Sequence, residues 1–134
     1  MHTITYVSTA MPELNEAQIA ELLSQTVANN TANNFTGILI YSEGNFFQVL
    51  EGEKEGITRL FAKIQQDSRH YNLIKIFERE TENSTFTKYG SSFTVISNSS
   101  QIRDLYRFLN REKENNPEGY NNIQYLAQKF MTLI

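Results

Sequence analysis

The order of the chain's apolar patterns constrains its fold most: two strand-like runs joined by Glu43-Gly44 stand between two helical stripes. His2–Ser8 mixes β-branched and aromatic residues and reads as a strand. Pro12 closes the turn after it, and Asn15 with Gln18 three residues on reads as a capping box. Ile19, Leu22, Leu23, Thr26 and Val27 then recur at helical spacing. Burying the four aliphatic side chains, at roughly 1.5–3 kcal/mol each, fastens that helix to a flat apolar surface. The stripe is expected to end at Asn29-Asn30, with a turn through Asn33-Asn34. Phe35–Ser42 and Asn45–Glu51 read as the two arms of a tight hairpin. Ile57, Leu60, Phe61 and Ile64 mark a second helix, and Asp67–Tyr71 a turn. Asn72–Glu80 and Lys88–Ser97 read as further strands, with a turn at Asn83–Thr85 and a bend at Gly90.

The order β-α-β-β-α-β with one more strand predicts an α+β fold with a ferredoxin-like core. A hairpin between two helices puts both helices on one face of an antiparallel sheet. The opposite face needs a cover, and Gln101–Arg111 and Ile123–Thr132 read as the helices that supply it. The intervening EKENNPEGYNN reads as a loop. Residues 1–98 are expected to be the core, with 99–134 a helical extension of the same domain; 134 residues suit one domain.

Composition excludes several classes of function. With no cysteine there is no thiol catalysis, disulfide scaffold, cysteine metal site or cysteinyl-cofactor adduct. His2 and His70 alone do not suggest a zinc site, so no metal is expected. Twelve basic against fifteen acidic residues, net charge −3, give no electrostatic case for nucleic acid or an anionic membrane. The apolar runs are too short for a membrane span, and the first residues do not read as a signal peptide, so the expected compartment is the cytoplasm. No phosphate loop, dinucleotide fingerprint, zinc-protease or nucleophile-elbow motif occurs.

What remains are polar side chains where apolar ones are expected. Asn30 follows Thr26 by four residues and Leu23 by seven, so it shares the first helix's buried stripe, with Asn29 beside it. Strand parity puts Phe46, Gln48 and Leu50 on one face, and Phe47 and Val49 on the other. Tyr6 shares a face with Ile4. Each has an ordinary reading: a C-cap for the asparagines, a backbone partner or solvent for Gln48, a core aromatic for Tyr6. Together they also suit a pocket for a planar ligand with a polar edge, because an unpaired buried amide costs about 1–3 kcal/mol.

The spans ITYVSTA, ANNTANNFTGILIYSEGNFFQVLEGE and IQQDSRHYN, in that order and spacing, resemble the BLUF family of flavin-using blue-light sensors over about the first hundred residues. The resemblance implies FAD, or alternatively FMN, held non-covalently between the two core helices. It implies that Tyr6 is the photoactive tyrosine and Gln48 the switch glutamine. Asn29 and Asn30 match the pair on the flavin ring, and Arg69 and His70 a basic turn near its polar tail. For His70 a surface-turn role after a helix is an equal alternative. In the implied mechanism Tyr6 gives up an electron and a proton, the latter relayed by Gln48. The Gln48 amide remains rearranged, and the spectrum shifts red until dark recovery. Where the family carries Trp and Met two residues apart on the fifth strand, this chain has Tyr89 and Ser91 as its output-coupling positions. Tyr89 is also a candidate second electron donor.

The resemblance therefore implies a photoreceptor switch rather than an enzyme. With only a short stretch after residue 98, the expectation is a stand-alone sensor that signals to an unidentified downstream protein or through a homo-oligomer, with Phe108 and Tyr125 as candidate exposed contacts. Two alternatives stay open: an interaction module of the same fold, flavin-binding or flavin-free but not photoactive, and a flavin oxidoreductase. The strand NFFQVL bears a superficial likeness to RNA-binding sheets, but lacks their basic residues. Ser91 offers Gln48 a hydroxyl where a thioether would not bond it. Dark recovery is accordingly expected to change in Ser91→Met, and a variant that recovers at the parent rate counts against the contact.

Overall fold

The computed structural model describes residues 1–86, 89–90, 92–118 and 120–133. Its elements run β1 (His2–Ala10), α1 (Glu16–Ala32), β2 (Thr36–Ser42), β3 (Asn45–Gly52), α2 (Lys54–Gln65), β4 (His70–Glu80), β5 (Phe93–Ile96), α3 (Ser99–Asn115) and α4 (Asn122–Leu133). The five strands form one sheet in the order β4-β1-β3-β2-β5. β1 pairs antiparallel with β3 and β4, and β2 antiparallel with β3. β5 joins β2 in parallel, from Gly37 opposite Phe93 to Ile40 opposite Ile96. The sheet is therefore mixed, not wholly antiparallel as its hairpin pattern suggests, because the chain crosses from one edge of the sheet to the other between β4 and β5.

The two faces carry separate cores. Ile4, Leu39, Phe46 and Leu50 point to α1 and α2, where Ile57 and Phe61 meet them. Ile38, Ile40, Phe47 and Val49 point the other way, to Leu105 and Leu109 of α3 and Ile123 and Ala127 of α4. Period-two alternation along β3 thus holds as expected, with both sides of the strand buried. Among the described residues no helix is long and apolar enough to cross a membrane.

Several boundaries differ from the sequence reading. α1 does not stop at Asn29-Asn30 but runs on to Ala32, so the pair forms part of its last turns. The carbonyls freed there are taken: Asn33 Nδ2 donates to Asn29 O at 2.7 Å and Phe35 N to Asn30 O at 2.9 Å. Asn34 then turns the chain at φ 60°, a left-handed conformation that asparagine accepts. β5 is shorter than Lys88–Ser97, since β2 offers it only Gly37–Ile40; Lys88 and Ser91 lie outside the described residues. α3 starts at Ser99 and runs past Arg111 to Asn115, shortening the expected loop. Its start is fixed by an Asn98/Gln101 capping box, the same Asn-x-x-Gln signal that opens α1. β1 and β4 are each two residues longer than expected, because Thr9 meets Tyr71 and Ala10 meets His70. That β1–β4 ladder carries register shifts between Thr5 and Tyr6 and between Val7 and Thr9, whereas β1–β3 is regular from His2 to Thr9.

Gly37 shows how closely β2 and β3 approach. Its φ is 133°, and a Cβ built there would stand 1.9 Å from the Val49 carbonyl oxygen. Gly37→Ala is expected to lower stability by about 3 kcal/mol or more, read as a lower urea midpoint. An unchanged midpoint would show that the strands can part to admit a methyl group.

Candidate functional site

On the α1/α2 side the helices do not seat fully on the sheet. In α1 only Ile19 and Asn30 are buried, while Leu22, Leu23 and Val27 of its apolar stripe stay half-buried. The space beneath is a cavity of about 270 Å³. Leu22 from α1, Leu39 and Phe46 from the sheet, and Leu60 and Ile64 from α2 make its apolar walls.

One end of the cavity is a chain of neutral polar groups. Tyr6, Gln48 and Asn30 are all buried, at 3–4% exposure. Tyr6 and Gln48 face each other across the β1–β3 ladder, which explains how residues 42 apart in sequence meet. Gln48 Nε2 donates to the Tyr6 phenol oxygen, and Gln48 Oε1 accepts from Asn30 Nδ2 at 3.4 Å. The Tyr6 ring lies 5.8 Å from that of Phe61 and 6.3 Å from that of His70. Burial pushes the Tyr6 phenol well above the ordinary tyrosine range, against a smaller opposite effect of its bond to Gln48. The phenol is thus held protonated, and the three side chains form a wholly uncharged relay.

The mouth is different. Asn29 lines the cavity but is exposed. Asp67 and Arg69 line it as a closed pair: Arg69 Nη2 meets Asp67 Oδ2 at 2.7 Å, and Arg69 Nε and backbone N each reach Asp67 Oδ1 at 3.0 Å. Arg69 Nη1 donates to Gln25 Oε1 at 3.0 Å, so the pair ties the α2–β4 turn to α1. The Arg69 bond holds the Asp67 carboxyl below its ordinary range. His70 also lines the cavity, yet both ring nitrogens are engaged. Nε2 donates to the Ile64 carbonyl at 2.6 Å, which leaves Nδ1 to accept from the Ser8 hydroxyl at 2.8 Å.

The structure thus brings Tyr6, Gln48, Asn29, Asn30, Arg69 and His70 to one cavity. Tyr89 is not among its lining residues; its ring packs on Phe108 of α3 at 5.2 Å, on the opposite side of the sheet. Phe108 is accordingly half-buried rather than exposed, while Tyr125 is 49% exposed as expected. Ser91 lies outside the described residues. Sequence reasoning missed Gln25 and Lys63 at the mouth. Each lies on the polar side of an amphipathic helix, and only their position at the end of the gap between α1 and α2 marks them.

Residues 1–92 match the family model described as "BLUF: Sensors of blue-light using FAD". Photoactivated adenylate cyclase subunit alpha of Euglena gracilis is 32% identical over 131 residues, 98% of this chain. The chain spans only 12% of that subunit's length. Among solved structures, the photo-activated state of BlsA aligns with a TM-score of 0.67 and 29% identity over 98% of this chain and 91% of that one. Klebsiella pneumoniae BlrP1 with FMN and cyclic diGMP aligns with a TM-score of 0.63 and 27% identity, over 76% of this chain and 26% of that one.

The depressed Asp67 titration has a definite sign. A carboxyl with a lower pKa folded than unfolded adds stability above the unfolded value, 3.8, and loses that contribution as pH falls through and below it. Thermal melts between pH 6 and pH 2.5 are expected to show a smaller loss of Tm on acidification for Asp67→Asn than for the parent. Parallel curves would mean that the Asp67–Arg69 pair contributes nothing to folding.

Proposed function

Because the chain belongs to the BLUF family of blue-light sensors that use flavin, we propose that the cavity holds the flavin and that Tyr6 and Gln48 are its switch. The observation that carries this reading is the buried Tyr6–Gln48–Asn30 relay, which opens on a cavity with apolar walls. The donor set fits the group. Asn29 and Asn30 offer amide donors and acceptors to a ring edge of alternating carbonyls and N–H, and the aliphatic walls suit a flat tricyclic body. Lys63 puts positive charge at the mouth, where a phosphate tail would emerge, beside the Arg69 guanidinium that Asp67 holds in place, and FAD is the proposed form over FMN. His70 contributes its ring edge, its nitrogens being occupied by Ser8 and Ile64.

When bound, the flavin supplies a strong one-electron oxidant under blue light. Tyr6 would be the donor: its phenol is neutral and shielded from water, so it would give up its electron together with its proton, which Gln48 Oε1 would accept once that atom faces the hydroxyl. Gln48 stands next to it with one acceptor and one donor on the same planar group. A half-turn about its terminal torsion exchanges them, so that Oε1 faces the Tyr6 hydroxyl and Nε2 faces Asn30, whose own amide turns to present Oδ1 as the acceptor. Both arrangements fill the same volume, which makes the amide a two-state element that light can bias.

The core proposed to hold the flavin is 1–98, with 99–134 a helical extension of the same domain; the family match ends at residue 92 and α3 begins at Ser99. These 134 residues act in this reading as a sensor and not as a catalyst. Output passes by protein contact, self-association included, for which Tyr125 on α4 and Ile74 and Ile76 on β4 are exposed apolar contacts. The competing reading, a module of this fold that does not switch, is favoured by Tyr89 standing where the family has tryptophan.

Purified protein is expected to be yellow and to shift its flavin band reversibly to the red under blue light. Tyr6→Phe should keep the flavin and lose the shift; a full shift in that variant removes Tyr6 from the mechanism. Asn30→Leu should weaken flavin binding roughly 10- to 100-fold by titration, as expected for lost buried amide bonds.

A further inference from the structure

Glu51 lies on β3 three residues beyond Gln48 and on the opposite face of the sheet. It is fully buried, and among the described residues no ion pair reaches it. Among the described residues its carboxyl group is met by neutral donors: Oε1 accepts from Ser84 Oγ at 2.8 Å and Thr36 Oγ1 at 3.2 Å, and Oε2 from Thr85 N at 2.8 Å. Oε1 has two of these donors and Oε2 has Thr85 N, so loss of the Thr85 bond leaves a buried carboxyl oxygen without a described partner.

The next peptide group, on the other side of the Thr85 Cα, is held as well. Its carbonyl accepts from Gln124 Nε2 at 3.4 Å. Gln124 is itself buried and belongs to the capping box that starts α4: its Oε1 accepts from Asn121 N and its backbone N donates to Asn121 Oδ1, both at 3.0 Å. The neighbouring Phe86 is buried in the core shared with α3 and α4. Thr81, at the start of the same segment, is fixed by its N–H to Met1 O at 2.8 Å and by hydroxyl contact with Thr3 at 3.0 Å.

We propose that Glu51 and Gln124 are positioning residues that grip the Thr85 backbone on either side of its Cα, linking the strand that carries Gln48 to the start of helix α4. Rearrangement at Gln48 displaces β3, Glu51 carries Thr85 with it, and Gln124 passes the displacement to the α4 cap. The relay crosses from the cavity face to the α3/α4 face without using Tyr89 or Ser91. It rests on the Tyr6–Gln48 reading above and adds to it the place where the lit state is read out.

The test is hydrogen exchange over residues 122–133 of the flavin-loaded protein, in darkness and under blue light. Exchange in the parent α4 should change with light. Gln124→Glu keeps an acceptor for Asn121 N but has no donor for Thr85. It should retain the red shift and lose the light-dependent change in α4 about fivefold or more. Glu51→Leu, which has no acceptor for the Thr85 N–H, should do the same. If Glu51→Leu does not fold, Gln124→Glu decides. A purely structural role would alter dark exchange and leave the light-minus-dark difference intact, which overturns the proposal. So does a parent protein that shifts red with no change in α4. A parent without a red shift fails earlier and separately, at the flavin switch itself, and the relay falls with it.

Discussion

The molecule is organised around one buried amide. Gln48 sits in the middle of a strand that is buried on both faces, where an aliphatic residue would be the ordinary choice. It is tolerated because Tyr6 and Asn30 satisfy both ends of the amide. That requirement fixes much else. β1 and β3 must be in register to bring Tyr6 opposite Gln48, and α1 must extend far enough to deliver Asn30. A leucine at Gln48 would pack, but would strand Asn30 and Tyr6 as unpaired polar groups inside the protein.

β3 divides the labour between the two faces. Its even-numbered residues meet the cavity and its walls, and Phe47 and Val49 meet the core under α3 and α4. The two sides differ in packing. The α3/α4 side is filled by Phe47, Leu105, Leu109 and Ile123, each 0–1% exposed. On the α1 side the stripe of leucines stops short of full burial and leaves room for a ligand. One well-packed layer holds the sheet's shape, and the other is free to serve chemistry.

Much of this was legible in the sequence, for identifiable reasons. The parity of NFFQVLEG and the Glu43-Gly44 hairpin are local signals, and both hold. So does the Asn15/Gln18 capping box. The end of α1 was misplaced because paired asparagines ordinarily stop a helix, whereas here Asn33 and Phe35 satisfy the carbonyls that would otherwise fray. The length of β5 depends on a parallel partner distant in sequence, which no local pattern encodes. The tie between Arg69 and Gln25, and the contact of Tyr89 with Phe108, are likewise tertiary. They join residues whose types are unremarkable alone.

The two ladders that flank β1 are unequal. Toward β3 the pairing is unbroken from His2 to Thr9, while toward β4 it slips on either side of Tyr6. The irregularity thus falls on the side of the outer strand, and the partner that the phenol needs stands in the ladder where spacing is even, so insertions tolerated at the sheet's margin leave the cavity's innermost pair undisturbed.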